Sequence, residues 1–122
     1  MTQNIMIVDD EVDLVQLYKI YLQMVGFTVC GATSGSRALS KIEEHSPDLV
    51  LLDVMMPDIT GIEVCNQIRN MPLLKQPVIF MYSANDSVDN KERCLQAGAD
   101  KLISKIIPMD EVTKHIKAAL PV

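Results

Sequence analysis

The sequence predicts an α/β fold in which five parallel strands form one sheet between two layers of helices, a three-layer sandwich. Short apolar segments alternate five times with amphipathic segments along the chain. Three of the apolar segments are continuously apolar, which is typical of strands buried on both faces of a parallel sheet. Repeated strand-then-helix units favour right-handed crossovers, and these place the helices on both faces of the sheet.

The composition indicates one folded domain, which we expect to span residues 1–122. Hydrophobic residues make up 48% of the 122 residues, and only 5 are glycine and 6 are proline, which disfavours disorder. No apolar run approaches the roughly 20 residues that cross a bilayer. The N-terminus lacks the basic lead and the cleavage site of a signal peptide. We therefore expect a cytoplasmic protein without membrane insertion.

Charge and cysteine content narrow the function classes further. The net charge of −5 disfavours direct binding to a nucleic acid backbone. The three cysteines, Cys30, Cys65 and Cys94, are an odd number at wide spacing. This pattern predicts reduced thiols rather than a disulfide framework or a zinc site.

The predicted strands are the five apolar segments. They are Ile5–Val8, Phe27–Gly31, Leu49–Leu52, Val78–Tyr82 and Leu102–Ser104. Apolar residues between Leu14 and Val25 recur every three or four positions, which predicts a first helix that ends at Gly26.

Capping residues mark the starts of the next two helices. Ser34 is a typical N-cap for a second helix whose inner face is Ala38, Leu39 and Ile42. Thr60 and Glu63 have the Thr-x-x-Glu spacing of a capping box. The third helix then presents Ile62, Cys65 and Ile68 inward.

The last two helices differ in strength. The segment 87–97 predicts a weak fourth helix capped by Asp86, with few apolar positions besides Cys94. The fifth helix has Pro108 near its first turn, acidic residues early and lysines late, as the helix dipole favours. Its predicted inner face is Val112, Ile116 and Leu120.

Reactive side chains follow four of the five predicted strands. They are Asp9 and Asp10, Asp53, Ser83 and Lys105, in chain order. Ligands of parallel α/β sheets bind at the carboxyl ends of the strands, near the point where the strand order reverses. A single aspartate there is usually a turn residue, but the joint pattern predicts a site.

The residue types in this set indicate phosphoryl chemistry. Three neighbouring carboxylates repel one another unless a divalent cation relieves the repulsion, and oxygen ligands suit Mg²⁺. A hydroxyl and an ammonium are then left to hold a small anion, for which a phosphoryl group fits. Asp53 follows the central strand and is the natural nucleophile, since ionised aspartate forms aspartyl phosphate in known enzymes.

Four segments carry a family resemblance. The sequence resembles the receiver domain of two-component response regulators in "IMIVDDE", "PDLVLLDVMMPDITGIEV", "PVIFMYSA" and "AGADKLISK", which occur in the family's order and spacing. The resemblance covers essentially the whole chain. It implies the flavodoxin-like fold of the chemotaxis receiver, with strand order 2-1-3-4-5.

The resemblance also implies roles for individual residues. Asp53 would accept a phosphoryl group. Mg²⁺ would be bound directly by Asp10 and Asp53, through a water by Asp9, and by the backbone carbonyl of Met55. Lys105 would pair with the phosphoryl oxygens.

The switching role would fall to Ser83, which would bond to the phosphoryl group and couple its arrival to the following loop and helix. Pro57 and Gly61 would shape the loop after Asp53, and Ala84 would keep the site open.

The implied partners are a sensor histidine kinase or a histidine phosphotransfer protein upstream and an effector domain or protein downstream. The resemblance implies a switch that catalyses its own Mg²⁺-dependent phosphorylation and dephosphorylation, although it is not a conventional enzyme.

Two positions depart from the family pattern. Receivers usually have proline after the lysine, joined by a cis peptide bond, whereas Lys105 precedes Ile106. Because a cis bond before a non-proline residue costs roughly 2.5–4 kcal/mol, we predict a trans bond and a different loop path. Leu102 stands where the family often has an aromatic switch residue, and we interpret it as a core residue.

Two nearby residues are interpreted structurally. Tyr82 should point away from Ser83, because side chains alternate along a strand, and should pack in the core. Asp58 is interpreted as a turn residue in "PDITG" rather than as a metal ligand.

Three other functions are alternatives to the phosphoacceptor. A phosphorylation-independent interaction module remains open because of Ile106. An aspartyl-phosphate hydrolase would need an acid where Met55 stands, and a flavin protein would need a phosphate loop where "DDEVDL" stands. A complete single-domain regulator and a piece of a larger protein both fit the chain.

Overall fold

The computed structural model describes residues 3–120, so the outermost residues of the predicted 1–122 domain lie outside the described part. Strands and helices alternate along the chain. The strands are β1 (Asn4–Val8), β2 (Thr28–Ala32), β3 (Leu49–Asp53), β4 (Val78–Ser83) and β5 (Lys101–Ser104). The helices are α1 (Val12–Met24), α2 (Gly35–His45), α3 (Gly61–Asn70), α4 (Val88–Gln96) and α5 (Met109–Ala119).

The five strands form one parallel sheet in the order β2-β1-β3-β4-β5, as predicted. Asp53 pairs with Tyr82, and Ser83 pairs with Ser104, so β3, β4 and β5 end close to the same level. The chain leaves β1 toward β2 and returns on the other side of β1 as β3. The carboxyl ends of β1 and β3 therefore flank the point where ligands of such sheets bind.

Each face of the sheet packs on its own apolar cluster. Val50 and Leu52 of β3 lie in the cluster that α2, α3 and α4 cover. Leu49 and Leu51 lie in the cluster that α1 and α5 cover. All four are buried. Because successive side chains of a strand point to opposite faces, a strand covered on both sides is apolar throughout.

Two predicted helix caps are confirmed. The Ser34 side chain accepts a hydrogen bond from the backbone N–H of Arg37 at 3.2 Å, and Thr60 accepts one from the N–H of Glu63 at 3.2 Å. The Glu63 carboxylate instead accepts a bond from the Gln67 side chain at 3.1 Å. Thr60 therefore satisfies the N–H of Glu63, but the reciprocal bond of a capping box, from the backbone N–H of Thr60 to the Glu63 carboxylate, is not formed.

The predicted cap of α4 is wrong by one residue. The cap is Ser87, whose side chain accepts a hydrogen bond from the backbone N–H of Asn90 at 3.2 Å. Asp86 precedes the cap and is exposed. Aspartate and serine are comparable N-caps, so composition alone does not separate adjacent candidates.

The inner face of α4 is partly polar. Cys94 and Asn90 are buried, whereas Val88 is 76% exposed. The Asn90 amide donates a hydrogen bond to the backbone carbonyl of Asn85 at 2.6 Å. This bond satisfies a polar group that would otherwise be costly to bury.

The predicted bounds of all five strands are right to within one residue. β2 begins and ends one residue later than predicted, and β5 begins one residue earlier. Val112 and Ile116 of α5 are buried, as is Leu120 at its C-terminal end. The three cysteines are free thiols, as their odd number predicts.

Candidate functional site

The reactive side chains predicted from the strand ends come together at one edge of the sheet. Asp9 directly follows β1, Asp53 and Ser83 are the last residues of β3 and β4, and Lys105 directly follows β5. The backbone N–H of Asp9 extends the pairing with β2 by donating to Ala32 at 3.1 Å. Regular strand pairing therefore brings these residues to a common edge of the sheet.

Three carboxylates form the acidic part of the site. Asp9, Asp10 and Asp53 each offer an oxygen, and these oxygens all lie within 4.8 Å of one another. Asp9 and Asp53 are 1% and 3% exposed, whereas Asp10 is exposed. Clustered carboxylate oxygens with one side open to water suit Mg²⁺, which prefers oxygen ligands and retains several waters. The residues present therefore fit the predicted ion.

Lys105 bridges the two buried carboxylates. Its Nζ atom lies 3.1 Å from Oδ2 of Asp9 and 3.3 Å from Oδ1 of Asp53. Burial opposes the charge on Lys105, but the hydrogen bond and charge of Asp9 and the charge of Asp53 outweigh burial and raise the pKa of Lys105. The ammonium is therefore firmly protonated where it meets these carboxylates.

Asp53 has a perturbed acidity. Burial and the negative charge of Asp9 raise its pKa to about 6, although Lys105 and the backbone N–H of Met55 oppose the rise. A carboxylate that is hard to ionise beside a second carboxylate favours an added cation. Perturbed groups of this kind are typical of functional sites.

Ser83 lies at the same edge with its hydroxyl fixed from one side. The residue is 2% exposed, and its Oγ atom accepts a hydrogen bond from the backbone N–H of Asn85 at 3.0 Å. A serine hydroxyl also has one proton to donate. Ser83 is thus equipped to donate to an anion while it remains bonded to the β4–α4 loop.

Met55 is placed beside Asp53, with its side chain exposed. Its backbone N–H lies 3.4 Å from Oδ1 of Asp53. That the backbone carbonyl of Met55 binds the metal stays a prediction.

Gly61 fits the predicted role of shaping the loop that follows Asp53. Its N–H donates to the backbone carbonyl of Val54 at 2.8 Å. A Cβ atom at this position would clash with the carbonyl oxygen of Asp53 and lie 2.9 Å from the Cα of Val54. Because both are backbone atoms, a side chain here would displace the end of β3 itself.

Asp58 does more than the predicted turn. Its carboxylate accepts hydrogen bonds from the backbone N–H groups of Gly35 at 3.2 Å and Ser36 at 2.9 Å, and from the Ser36 hydroxyl at 2.8 Å. The hydrogen bonds from Ser36 and Ile59 lower the pKa of Asp58. Asp58 thus ties the loop after Asp53 to the start of α2. The acceptor and its donors are 22 or 23 positions apart, so no local motif reveals the pairing.

The segment after Lys105 follows the predicted trans form. The Lys105–Ile106 peptide bond is trans, and the Ile106 side chain is 85% exposed. The backbone N–H groups of Ile106 and Ile107 donate to the side chain and the carbonyl of Ser104 at 3.3 and 3.2 Å. Ile106 therefore contributes no apolar anchor to the loop that carries the lysine.

Tyr82 and Leu102 pack on opposite faces of the sheet, and both interpretations are confirmed. Tyr82 is buried in the cluster under α1 and α5, and Leu102 packs against the cluster under α2, α3 and α4. Sequence reasoning missed that the Tyr82 ring also meets Lys105, whose Nζ atom lies 5.2 Å from the ring centroid.

Comparison with known proteins identifies the family. The sequence model of the response regulator receiver domain family matches residues 5–117 of this chain. The chain is 40% identical over 120 residues to the alkaline phosphatase synthesis transcriptional regulatory protein PhoP of Bacillus subtilis, covering 98% of this chain and 49% of that protein. It is 37% identical over 116 residues to the transcriptional regulatory protein KdpE of Mycobacterium tuberculosis, covering 95% of this chain and 50% of that protein. The chain thus spans about half the length of these curated relatives.

Solved structures agree with this assignment. The chemotaxis protein CheY4 of Vibrio cholerae superposes with a TM-score of 0.92 at 27% identity, over 98% of this chain and all of that one. The BeF3-activated N-terminal receiver domain of Klebsiella pneumoniae RstA gives a TM-score of 0.88 at 29% identity, over 98% and 100% of the two chains. Within residues 3–120, no helix is long and apolar enough to span a membrane. The chain belongs to the response regulator receiver domain family.

Proposed function

We propose that Asp53 accepts a phosphoryl group from a histidine kinase or a histidine phosphotransfer protein and that the chain is a phosphorylation-driven signalling switch. The observation that carries this proposal is that Asp53 lies in one cluster with the carboxylates of Asp9 and Asp10 and in contact with the ammonium of Lys105. Such an arrangement supplies what phosphoryl transfer needs, which is positioning and charge neutralisation.

In the transfer step, an ionised Asp53 oxygen attacks the phosphorus of the donor phosphohistidine. The new O–P bond forms as the P–N bond breaks, and the imidazole leaves with the proton that its phosphorylated ring carries. Lys105 pairs with the phosphoryl oxygens, and the Ser83 hydroxyl donates to one of them. Mg²⁺, held by Asp10 and Asp53, through a water by Asp9, and by the carbonyl of Met55, would neutralise charge on the phosphoryl oxygens.

Dephosphorylation uses the same residues. Water attacks the phosphorus, the bond to Asp53 breaks, and inorganic phosphate leaves. Because Ser83 is bonded to the N–H of Asn85, a shift of its hydroxyl toward the phosphoryl group would move the β4–α4 loop. This movement is the proposed output of the switch.

The proposed output acts on an effector domain or protein, in the cytoplasm. The similarity to two proteins named as transcriptional regulatory proteins supports an effector that controls transcription. The net charge of −5 argues that this chain does not itself bind DNA.

The alternative is an interaction module that takes no phosphoryl group. Ile106 favours this alternative, because the family usually has proline at this position. Lys105 nevertheless reaches both buried carboxylates, which favours the phosphoacceptor.

Intact mass after incubation with acetyl phosphate and Mg²⁺ tests the proposal. We expect a gain of one phosphoryl group that disappears with EDTA and in Asp53→Asn. No gain in the wild-type protein at any donor concentration would favour the interaction module.

A further inference from the structure

We propose that Tyr82 is a positioning residue whose ring holds the Lys105 ammonium between Asp9 and Asp53. The Lys105 Nζ atom lies 5.2 Å from the Tyr82 ring centroid, within the roughly 6 Å range of cation–π contacts. The ring thus flanks an ammonium that the two carboxylates already contact at 3.1 and 3.3 Å. This inference rests on the proposed function of Lys105.

The Tyr82 ring is itself fixed. Tyr82 is buried, and the ring of Tyr18 meets it edge-on, with centroids 5.8 Å apart and an interplanar angle of 90°. The Tyr18 hydroxyl donates to the Tyr82 hydroxyl at 3.3 Å. A ring held by packing and by a hydrogen bond is a suitable platform for a flexible cation.

Lys105 needs such a platform. Its backbone is fixed, since its N–H donates to the carbonyl of Ser83 at 2.9 Å, but its side chain has four rotatable bonds. The residue after it, Ile106, is exposed and gives the loop no apolar anchor. The ring of Tyr82 is a third contact of the ammonium besides the two carboxylates, so less rotamer freedom remains to be lost in the reaction.

Phe80 provides a matched control on the same strand and the same face of the sheet. It is buried as Tyr82 is, and its ring carries the ammonium of Lys101 at 5.5 Å from its centroid. Phe80→Leu therefore removes a comparable buried ring and a comparable cation contact, but away from the site.

The first test is spectroscopic and needs no phosphoryl group. In ¹H–¹³C spectra, the ε-methylene protons of Lys105 should be shifted upfield by the ring current of Tyr82. We expect this shift to persist in Tyr82→Phe and Phe80→Leu and to vanish in Tyr82→Leu. An unchanged Lys105 signal in Tyr82→Leu would overturn the proposal.

The second test is the rate of phosphorylation by acetyl phosphate. We expect Tyr82→Leu to slow it about five-fold, as expected for a partly desolvated cation–π contact, with Tyr82→Phe and Phe80→Leu within about two-fold of wild type. In a Lys105→Ala background, Tyr82→Leu should have no further effect. Two results would show that Tyr82 acts only as a core residue. One is an equal loss of phosphorylation rate in Tyr82→Leu and Phe80→Leu, and the other is an undiminished effect of Tyr82→Leu in the Lys105→Ala background.

The two tests also separate the two proposals. A wild-type protein that takes no phosphoryl group would contradict the proposed function, while the Lys105 signal would still decide the role of Tyr82.

Discussion

The Nζ atom of Lys105 lies 3.1 Å from Oδ2 of Asp9, although the two residues are 96 positions apart in the chain. The bond joins the end of β5 to the end of β1 across the two strands that lie between them, β3 and β4. It places a positive charge beside Asp53, which otherwise has only the carboxylates of Asp9 and Asp10 as charged neighbours in the cluster. Lys105 thus contacts both Asp9 and Asp53, and the pKa of Asp53 depends on this shared cation.

Removing this cation should raise the pKa of Asp53 further. In Lys105→Met we expect the pKa of Asp53 to rise above about 6, because the neighbouring positive charge that favours its ionisation is lost. Carboxyl ¹³C titration of Asp53 in Mg²⁺-free buffer measures it. Lys101→Met removes an exposed lysine outside the site and should leave the titration unchanged. An identical titration in Lys105→Met would contradict the ion pair.

Asp53→Asn should stabilise the Mg²⁺-free protein at neutral pH. The unfolded-state pKa is about 3.9, and the folded-state pKa is raised to about 6. The folded state thus binds this proton more tightly, and Asp53 subtracts stability as the pH rises from about 4 through 6. Above pH 6 we expect Asp53→Asn to be more stable by roughly 1–2 kcal/mol, allowing for solvent screening.

Urea unfolding of both proteins between pH 4 and 8 measures this difference. The gap should shrink toward pH 4, where the folded-state carboxyl is protonated and the unfolded-state carboxyl is already about half protonated. Added Mg²⁺ should stabilise the wild type more than Asp53→Asn. A gap that does not vary with pH would show that the stabilisation has another cause.

Gly61→Ala should destabilise the protein and impair the site together. The added Cβ would meet backbone atoms of Asp53 and Val54, and overpacking against rigid atoms costs roughly 1–3 kcal/mol. Gly31→Ala is the control, since its Cβ would meet only the Val15 side chain at 2.6 Å and a backbone oxygen at 3.9 Å. We expect a smaller loss there and normal phosphorylation. Thermal unfolding and intact mass report both effects, and equal behaviour of the two variants would contradict the backbone argument.

Asp58→Ala should weaken the start of α2. The lowered pKa of Asp58 means that its hydrogen bonds stabilise the fold above the unfolded pKa of about 3.9 and are lost as the pH falls below that value. We expect a lower melting temperature at pH 7 and shifted amide signals for Gly35 and Ser36. The variant should converge with wild type in acid. Asp86→Ala removes an exposed acid next to the α4 cap. It should change neither the melting temperature nor the amide signals of Gly35 and Ser36.

The sheet and most of the site follow from local sequence patterns. Continuous apolar segments mark strands covered on both faces, and the residue after each strand is carried to a common edge by parallel pairing. The sequence alone therefore groups Asp9, Asp53, Ser83 and Lys105, because chain order and the α/β rule determine which ends of the strands coincide.

The features that could not be predicted from the sequence depend on side-chain contacts that local patterns do not encode. Asn90 occupies an inner position of α4 because it bonds to the carbonyl of Asn85, and a hydrophobic pattern reads such a residue as solvent-facing. Asp58 binds the first two backbone N–H groups of a helix that begins 23 positions before it. Tyr82 was correctly assigned to the core, but its contact with Lys105 depends on the side-chain path of the lysine, which strand alternation does not specify.

The most direct test of the central claim is to locate the phosphoryl group. Protein treated with acetyl phosphate and Mg²⁺ is reduced with borohydride, which converts an acyl phosphate to an alcohol, and the peptides are sequenced by mass spectrometry. We expect homoserine at position 53 and unmodified Asp9 and Asp10. Homoserine at position 9 or 10 with Asp53 intact, or no reduced aspartate at all, would contradict it.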